Sequence, residues 1–582
     1  MRHTIVKEFH IKRGDKILSV IKRFSATEKV VFAALIVIAL ITALSMANKV
    51  NKYFMVLKPT DGGSLNEGVV GLPRSINPVL AFTDVDKDMA SLIYSGLMKY
   101  ENGEIVGDLA ETYTISDDGL VYDFKLRDGI RFHDGQSLTT DDVEFTIQKI
   151  QNSELKSPRK GDWRDVTINK ISEKEIQFVL KQPYSPFLAN TVVGILPKHI
   201  WKNVDADQFI FSQYNIEPVG SGPFKLDSIK RDGGGIPQSY SLVPFSRFYD
   251  KKPYLSSLNI SFYSNEKLAI DAFNSGNIES LAGVSPQEVA KISTTSPDVR
   301  ILTSPLPRLF GIFLNQNNAP VLANKEVRQA LDLAVNKQKI VDQVLLGYGV
   351  PINSPLPIGV LHATSTAQNV IKSDQDKAKA ILAKAGWLIN KDGILEKKDK
   401  KSSQILEFSI STADSPELKE AAELAKADWE SIGAKVDVRV FEYGDLAQNI
   451  IKTRKYDALL FGEFIGKDLD LYAFWHSSQR NSPGLNISMF VNSKADKILE
   501  DARTTSDDAV RESKYETFQK IIQDEVPAIF LYAPEYTYIV PSKIQGITFQ
   551  EITNSSDRWH NISQWYTETD KVWKVFAKEN KN

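Results

Sequence analysis

The chain of 582 residues is too long for one hydrophobic core, so two or more domains are expected. Apolar residues make up 42% and charged residues 25%, as in an ordinary folded protein, and a net charge of −2 gives no reason to expect nucleic acid as a partner. Cysteine is absent, which excludes disulfides, thiolate metal sites, a cysteine nucleophile and lipid attachment through an N-terminal cysteine.

Residues 1–29 carry eight Lys/Arg against three acids. The run Val30 to Ala47, VVFAALIVIALITALSMA, then contains no charge. At 1.5 Å per residue it spans about 27 Å, close to the hydrocarbon thickness of a bilayer. The basic flank precedes it, so residues 1–29 are predicted to be a cytoplasmic tail, 30–47 a transmembrane signal anchor, and the remainder exported. Ser45-Met46-Ala47 is a small-x-small pattern and offers the competing reading of a cleaved signal peptide. The long basic leader, and the lack of a cysteine for lipid, favour the anchor. A tether is expected over 48–57.

Strand and helix signals alternate from residue 67 onward. In 112–135, Val121, Asp123 and Lys125 alternate with Tyr122, Phe124 and Leu126, and Asp118-Gly119 and Asp128-Gly129 supply turns, predicting antiparallel strands. Thr140 is placed as the cap of a helix with Val143, Ile147 and Ile150 on one face. A strand runs from Glu175 to Lys181, and Gly233-Gly234-Gly235 marks a hairpin tip. Helices are expected from Asn324 (Val327, Leu331, Val335), from Asn336 to Gly347, from Asp374 to Gly386 and from Ser415-Pro416 to Gly433. Strands are expected over Lys435 to Phe441 and Asp457 to Phe461, then a helix from Tyr515 to Glu525 and a strand from Ala528 to Tyr532. This alternation predicts an α/β fold with helices covering a layered sheet.

Strong catalytic motifs are missing: there is no HExxH, GxxxxGK[ST], GxSxG, or GxGxxG after a strand. One SxxK, Ser153 to Lys156, lies in a polar stretch without the partners such a motif needs. The histidines of the exported part, His133, His199, His362, His476 and His560, have no metal-ligand spacing. No catalytic residue, metal or cofactor is expected.

Several blocks carry a resemblance. Residues 94–143 read YSGLMKYENGEIVGDLAETYTISDDGLVYDFKLRDGIRFHDGQSLTTDDV. VGSGPFKL (219–226), VRQALDLAVNKQKIVDQVLLGYGVP (327–351), KAKAILAKAGW (377–387), YDALLFGEFIGKDLDLYAFWHSSQ (456–479) and QKIIQDEVPAIFLYAP (519–534) follow in order. Over roughly residues 60–550 the chain resembles the family 5 extracellular solute-binding proteins of ABC transporters, the dipeptide/oligopeptide/nickel-binding group. The resemblance implies a two-lobed, periplasmic-binding-protein-like (type II) fold with an extra subdomain in lobe 1. Transferred here, lobe 1 takes 58–308 with the subdomain at about 95–215, lobe 2 takes 309–534, and 535–582 returns to lobe 1.

The resemblance also implies a function. A monomeric receptor on the extracytoplasmic side of the cell membrane would close around a small peptide and deliver it to an ABC permease. Extended ligand would pair with Glu67 to Pro73, including Gly71, and with Phe461-Gly462-Glu463. Relatives that bind free peptides place an aspartate just after the second strand, against the ligand's ammonium group. Here Asp468, Asp470 and Glu463 are the candidates, because the ungapped match puts Lys467 at that position. Trp475 is expected on the cavity wall and Asn486 near the cleft, whereas Arg328 reads as structural. Alternatives are an oligosaccharide or nickel-chelate receptor, an extracytoplasmic hydrolase and a surface sensor without a transport role.

Overall fold

A computed structural model describes residues 23–101, 103–356, 372–398, 402–466, 469–505, 507–549 and 552–577. The chain divides into two units, one of residues up to Thr60 with Glu568 onward, the other Asp61–Thr567.

In the first unit a 29-residue helix, Ala26–Phe54, starts at a capping box in which the Ser25 hydroxyl and the Glu28 carboxylate satisfy each other's backbone N–H. It buries none of its residues and, among the described residues, is the helix long and apolar enough to cross a membrane. The expected tether at 48–57 is instead ordered structure. No Gly or Pro interrupts the chain between Ala47 and Phe54, so the helix continues to Phe54. Met55–Thr60 then pairs antiparallel with Glu568–Trp573.

The second unit is built on a twelve-stranded mixed sheet. From one edge it runs Lys435–Phe441, Glu407–Ala413, Ala458–Phe464, Arg308–Leu314, Ala528–Pro541, Ser280–Ala282, Ser64–Val70, Ser257–Tyr263, Pro237–Pro244 and Phe224–Arg231, with two further strands on Ala528–Pro541. One core gathers residues from Leu309 to Ala533, including Trp387, Trp429 and Trp475. A second gathers residues from Leu65 to Phe262 and from Tyr538 to Trp565. These two largest cores meet along one strand, which also feeds two smaller clusters through Tyr536 and Ile539. The first residues of Ala528–Pro541 pair with Arg308–Leu314, and its last residues pair with Val299–Pro305. The strand therefore runs well past the expected end at Tyr532, because the largely apolar run continues and Tyr536, Thr537, Tyr538, Ile539 and Val540 are all buried, on both faces of the sheet.

A separate four-stranded antiparallel sheet orders Ala110–Ile115, Val121–Leu126, Glu175–Val179 and Thr167–Lys170. Trp163, Phe178 and Phe187 interlock beneath it at 5.2 to 6.1 Å between ring centroids. The neighbouring helix Thr140–Gln151 is capped by Thr139, paired with Asp142, rather than by Thr140. Thr140 is fully buried and donates its hydroxyl to the Ser172 carbonyl at 2.5 Å. The last long helix, Asp508–Glu525, begins a full two turns before Tyr515. Its opening turns are polar and exposed, so they carry no apolar periodicity to read.

Candidate functional site

The segment Glu67 to Pro73 starts inside the sheet and leaves it at Gly71. Gly71 has φ +115°, which a side chain rarely adopts, and its N–H donates to the Tyr263 carbonyl at 2.7 Å. Ser64–Val70 pairs along its whole length with Ser257–Tyr263, but on its other edge only Glu67 and Gly68 meet a strand, Ser280–Ala282. Val69 and Val70 thus have one edge without a strand neighbour among the described residues. Glu67 itself points into the core. Its carboxylate takes Arg558 at 3.1 Å and the Tyr538 hydroxyl at 2.9 Å, and Ser280 donates to it as well. Arg558 also reaches Asp88 at 2.8 Å. Burial pushes both carboxyl groups up, and the guanidinium between them pulls them back.

Ala458–Phe464 repeats this half-open pattern. Arg308–Leu314 pairs with all seven of its residues, while Glu407–Ala413 reaches only Ala458 and Leu459. Beyond Leu459 the strand has an edge without a strand neighbour among the described residues. Gly462 leaves room for Phe310: a Cβ there would stand 2.8 Å from its ring, which stacks on Tyr532 at 5.1 Å. Phe461 stacks on Tyr443 at 6.2 Å. Glu463 is 4% exposed, and neither of its carboxyl oxygens has a hydrogen-bond partner among the described residues. Burial pushes its pKa well above the usual carboxylate range.

At the strand ends, Arg308 lies over the Phe464 ring at 5.7 Å, and its buried Nε has no hydrogen-bond partner among the described residues. Burial works against its charge, and Asp84 is the carboxylate that favours it.

The remaining expected contacts are placed as follows. Asp468 lies outside the described residues. Asp470 accepts the Tyr472 N–H at 3.2 Å and pairs with Arg503 at 2.9 Å. Trp475 is fully buried among Phe313, Phe490, Phe518 and Phe530. This departs from the expected place on a cavity wall: the aromatic cluster consumes its surface. Asn486 is also fully buried, and its amide donates to the carbonyls of Trp475, His476 and Phe490 at 3.0 to 3.2 Å. It holds a loop rather than facing the cleft. Arg328 is the structural group expected, its guanidinium donating to the carbonyls of Leu322, Ala323, Glu525 and Val526.

A cavity of about 940 Å³ is lined by Pro78–Glu111 and 184–194 segments, by Thr553–Gln564 residues, and by Phe464 and Gly466 from the far half of the sheet. Its wall carries both signs of charge. Lys99 meets Asp250 at 3.0 Å and Asp108 at 4.0 Å, and Tyr249 donates to Asp108. Burial raises the Asp108 carboxyl to about 6, against the pull of Lys99. Gly71 and Phe461–Glu463 are not among the lining residues. Among the described residues no group of three His, Asp or Glu side chains is arranged to hold a metal ion.

The model of the bacterial extracellular solute-binding proteins, family 5, matches residues 104–484. The chain belongs to that family. Its family 5 relatives include the oligopeptide-binding protein AppA of Bacillus subtilis, 30% identical over 519 residues, which are 88% of this chain and 92% of AppA. The structure of that AppA in complex with a nonapeptide superposes with a TM-score of 0.64 at 28% identity, covering 88% of this chain and 99% of AppA. The ABC transporter substrate-binding protein CtaP of Listeria monocytogenes gives a TM-score of 0.73 at 28% identity, covering 88% and 100%. NikZ of Campylobacter jejuni, solved with Ni(L-His), gives 0.66 at 27%, covering 86% and 99%. The family 5 chain thus has the two-lobed type II fold with mixed α/β sheets. Sequence reading does not single out Arg308 or Arg503, since a lone arginine at a strand or helix end carries no pattern. Their significance comes from partners far away in the chain.

Proposed function

We propose that this chain captures a peptide-like solute between its two lobes, releases it chemically unchanged to an ABC permease, and stays on the extracytoplasmic side of the membrane through an uncleaved N-terminal helix. The reading rests on the two half-open strands. An extended ligand strand laid against Val69 to Gly71 on one side and Phe461 to Phe464 on the other gains main-chain hydrogen bonds that do not depend on its side chains. Gly71 turns the first strand out of the sheet, and Gly462 seats the Phe310 ring beside the second. Glu463 is the acidic partner for the ligand's ammonium group, while Asp470 keeps its pair with Arg503 in the closed form. Arg308 offers the opposite charge. The relative AppA, an oligopeptide-binding protein solved with a nonapeptide, supports a peptide over a sugar.

No covalent step is required, since a lobe that binds only in the closed form acts by shifting a population. Mass spectrometry of solute carried through purification, followed by calorimetry with peptide pools, oligosaccharides and nickel–histidine, tests the ligand class. Peptide recovered intact is the expected result, and cleaved peptide or exclusive sugar binding overturns it. Sequencing the N-terminus of the membrane-associated chain tests the anchor: a mature start at Asn48 removes it.

A further inference from the structure

The strand that follows the apolar helix pairs with the strand Glu568–Trp573, from the other end of the chain. Met55 stands opposite Trp573, Leu57 opposite Lys571 and Lys58 opposite Asp570. Side chains alternate across a strand pair. Leu57, Lys571 and Trp573 therefore share one face, and the acidic Glu568 and Asp570 share the other. At the helix end, Trp573 stacks on Phe54 at 6.2 Å and donates its indole N–H to Asn51 at 2.8 Å, while Phe54 meets Tyr53 edge-on at 5.2 Å. Lys574 sits over the Tyr53 ring at 5.2 Å. These contacts leave the groups open to their surroundings: Tyr53 is 72% exposed, Leu57 64%, Trp573 45% and Val575 75%.

A cluster of aromatic rings with polar tips, rimmed by lysines, and left uncovered, matches the headgroup layer of a bilayer, where one side of a Trp or Tyr is apolar and the other wet. Phe54 lies seven residues past Ala47, about 10 Å further along the axis. A tilt of about 20–40° from the bilayer normal brings that to about 8–10 Å above the hydrocarbon core, at the outer rim of a headgroup layer about 5–8 Å deep. We infer that Tyr53, Phe54, Leu57, Lys571, Trp573 and Lys574 form a lipid-contact surface that sits in the anionic headgroup region of the outer leaflet and fastens the C-terminal strand to the membrane. The inference rests on the anchor reading above.

The absence of cysteine makes the test clean, because one introduced cysteine is the sole labelling site. Full-length V575C, labelled with an environment-sensitive fluorophore, is reconstituted into vesicles of phosphatidylglycerol and phosphatidylethanolamine, with and without headgroup-proximal spin-labelled lipid. V37C, inside the span, is labelled in parallel and read against acyl-chain spin-labelled lipid, since it lies about 15 Å from the headgroups. We expect V575C to be quenched at least about twofold, and the added substitutions W573A and K574A to remove most of that quenching. Unquenched V575C overturns the inference whatever V37C does, and leaves that face to a protein partner. Quenched V575C with unquenched V37C keeps the lipid contact and sinks the anchor instead.

Discussion

Arg503 pairs with Asp470 at 2.9 Å, lies over the Tyr472 ring at 4.4 Å, and accepts the Ser185 N–H on its backbone carbonyl at 3.1 Å. Its guanidinium also lies 5.8 Å from the Tyr184 ring, and Arg511 donates to the Ser185 hydroxyl. Tyr184 packs on the core that holds Leu65 and Trp565, whereas the helix Ser493–Arg503 packs on the core that holds Leu309 and Trp475. The contact therefore joins the two halves of the sheet from opposite sides of the cleft.

A contact across the cleft is expected to act as a latch on closure. Arg503→Ala leaves Asp470 half-buried without its partner, at a cost of about 1–3 kcal/mol. If that cost falls on the closed form, ligand affinity weakens about fivefold to a hundredfold, since each 1.4 kcal/mol is a factor of ten. Calorimetry gives the affinity, and small-angle scattering of the ligand-bound protein gives its radius of gyration. Unchanged affinity in R503A, with the fold intact, sinks the latch.

Glu463 makes stability depend on pH. Its folded-state pKa lies above the unfolded value because burial, with no partner, disfavours the charge. The folded state therefore binds more protons over that interval. The carboxyl does no harm below the unfolded value, and stability is lost as pH rises from there toward the folded value, by about 1.4 kcal/mol per pH unit. Glu463→Gln removes this loss. Melting temperatures at pH 5 and pH 8 should differ less in E463Q than in the parent, with the mutant more stable at the higher pH. An equal fall in both proteins would mean that the group finds a partner in solution.

Much of the architecture is legible in the residue pattern alone. Val436, Val438 and Val440 alternate with charges and do form a strand, and Gly386 and Gly433 both take positive φ just past the helices that they are expected to end. What eludes sequence reading is distance. Ser185 and Arg503 are 318 positions apart and Glu67 and Arg558 are 491 apart, so no local pattern joins them. Nor does periodicity separate an aromatic that faces a cavity from one that faces other aromatics. Trp475 sits in the core because Phe313, Phe518 and Phe530 arrive there from three separate segments.

Arg558 bridges Glu67 and Asp88, with all three side chains almost wholly removed from solvent. Truncating it leaves two buried carboxylates facing each other. Arg558→Ala is expected to destabilise the protein by about 3–5 kcal/mol, whereas Arg558→Lys keeps a charge but loses the fork and falls between. Denaturant midpoints for the three proteins check the order. Equal stability of R558A and the parent would mean that the carboxyl groups are already protonated without the guanidinium.

Arg308 supplies the sharpest test of what the cleft holds. Its Nε is buried without a partner among the described residues, its ring neighbour Phe464 lines the cavity, and burial already works against its charge. A desolvated guanidinium in that state gains most from a ligand carboxylate, which can take two parallel N–H donors at once. Arg308→Ala should therefore weaken binding of a peptide with a free C-terminal carboxylate about tenfold or more, while changing affinity for the same peptide as its amide by less than about twofold. Arg308→Lys restores the charge without the fork and should recover only part of the loss. Calorimetry with the matched peptide pair separates the cases. Equal losses for the acid and the amide would place Arg308 in the scaffold, holding the Phe464 ring rather than the ligand.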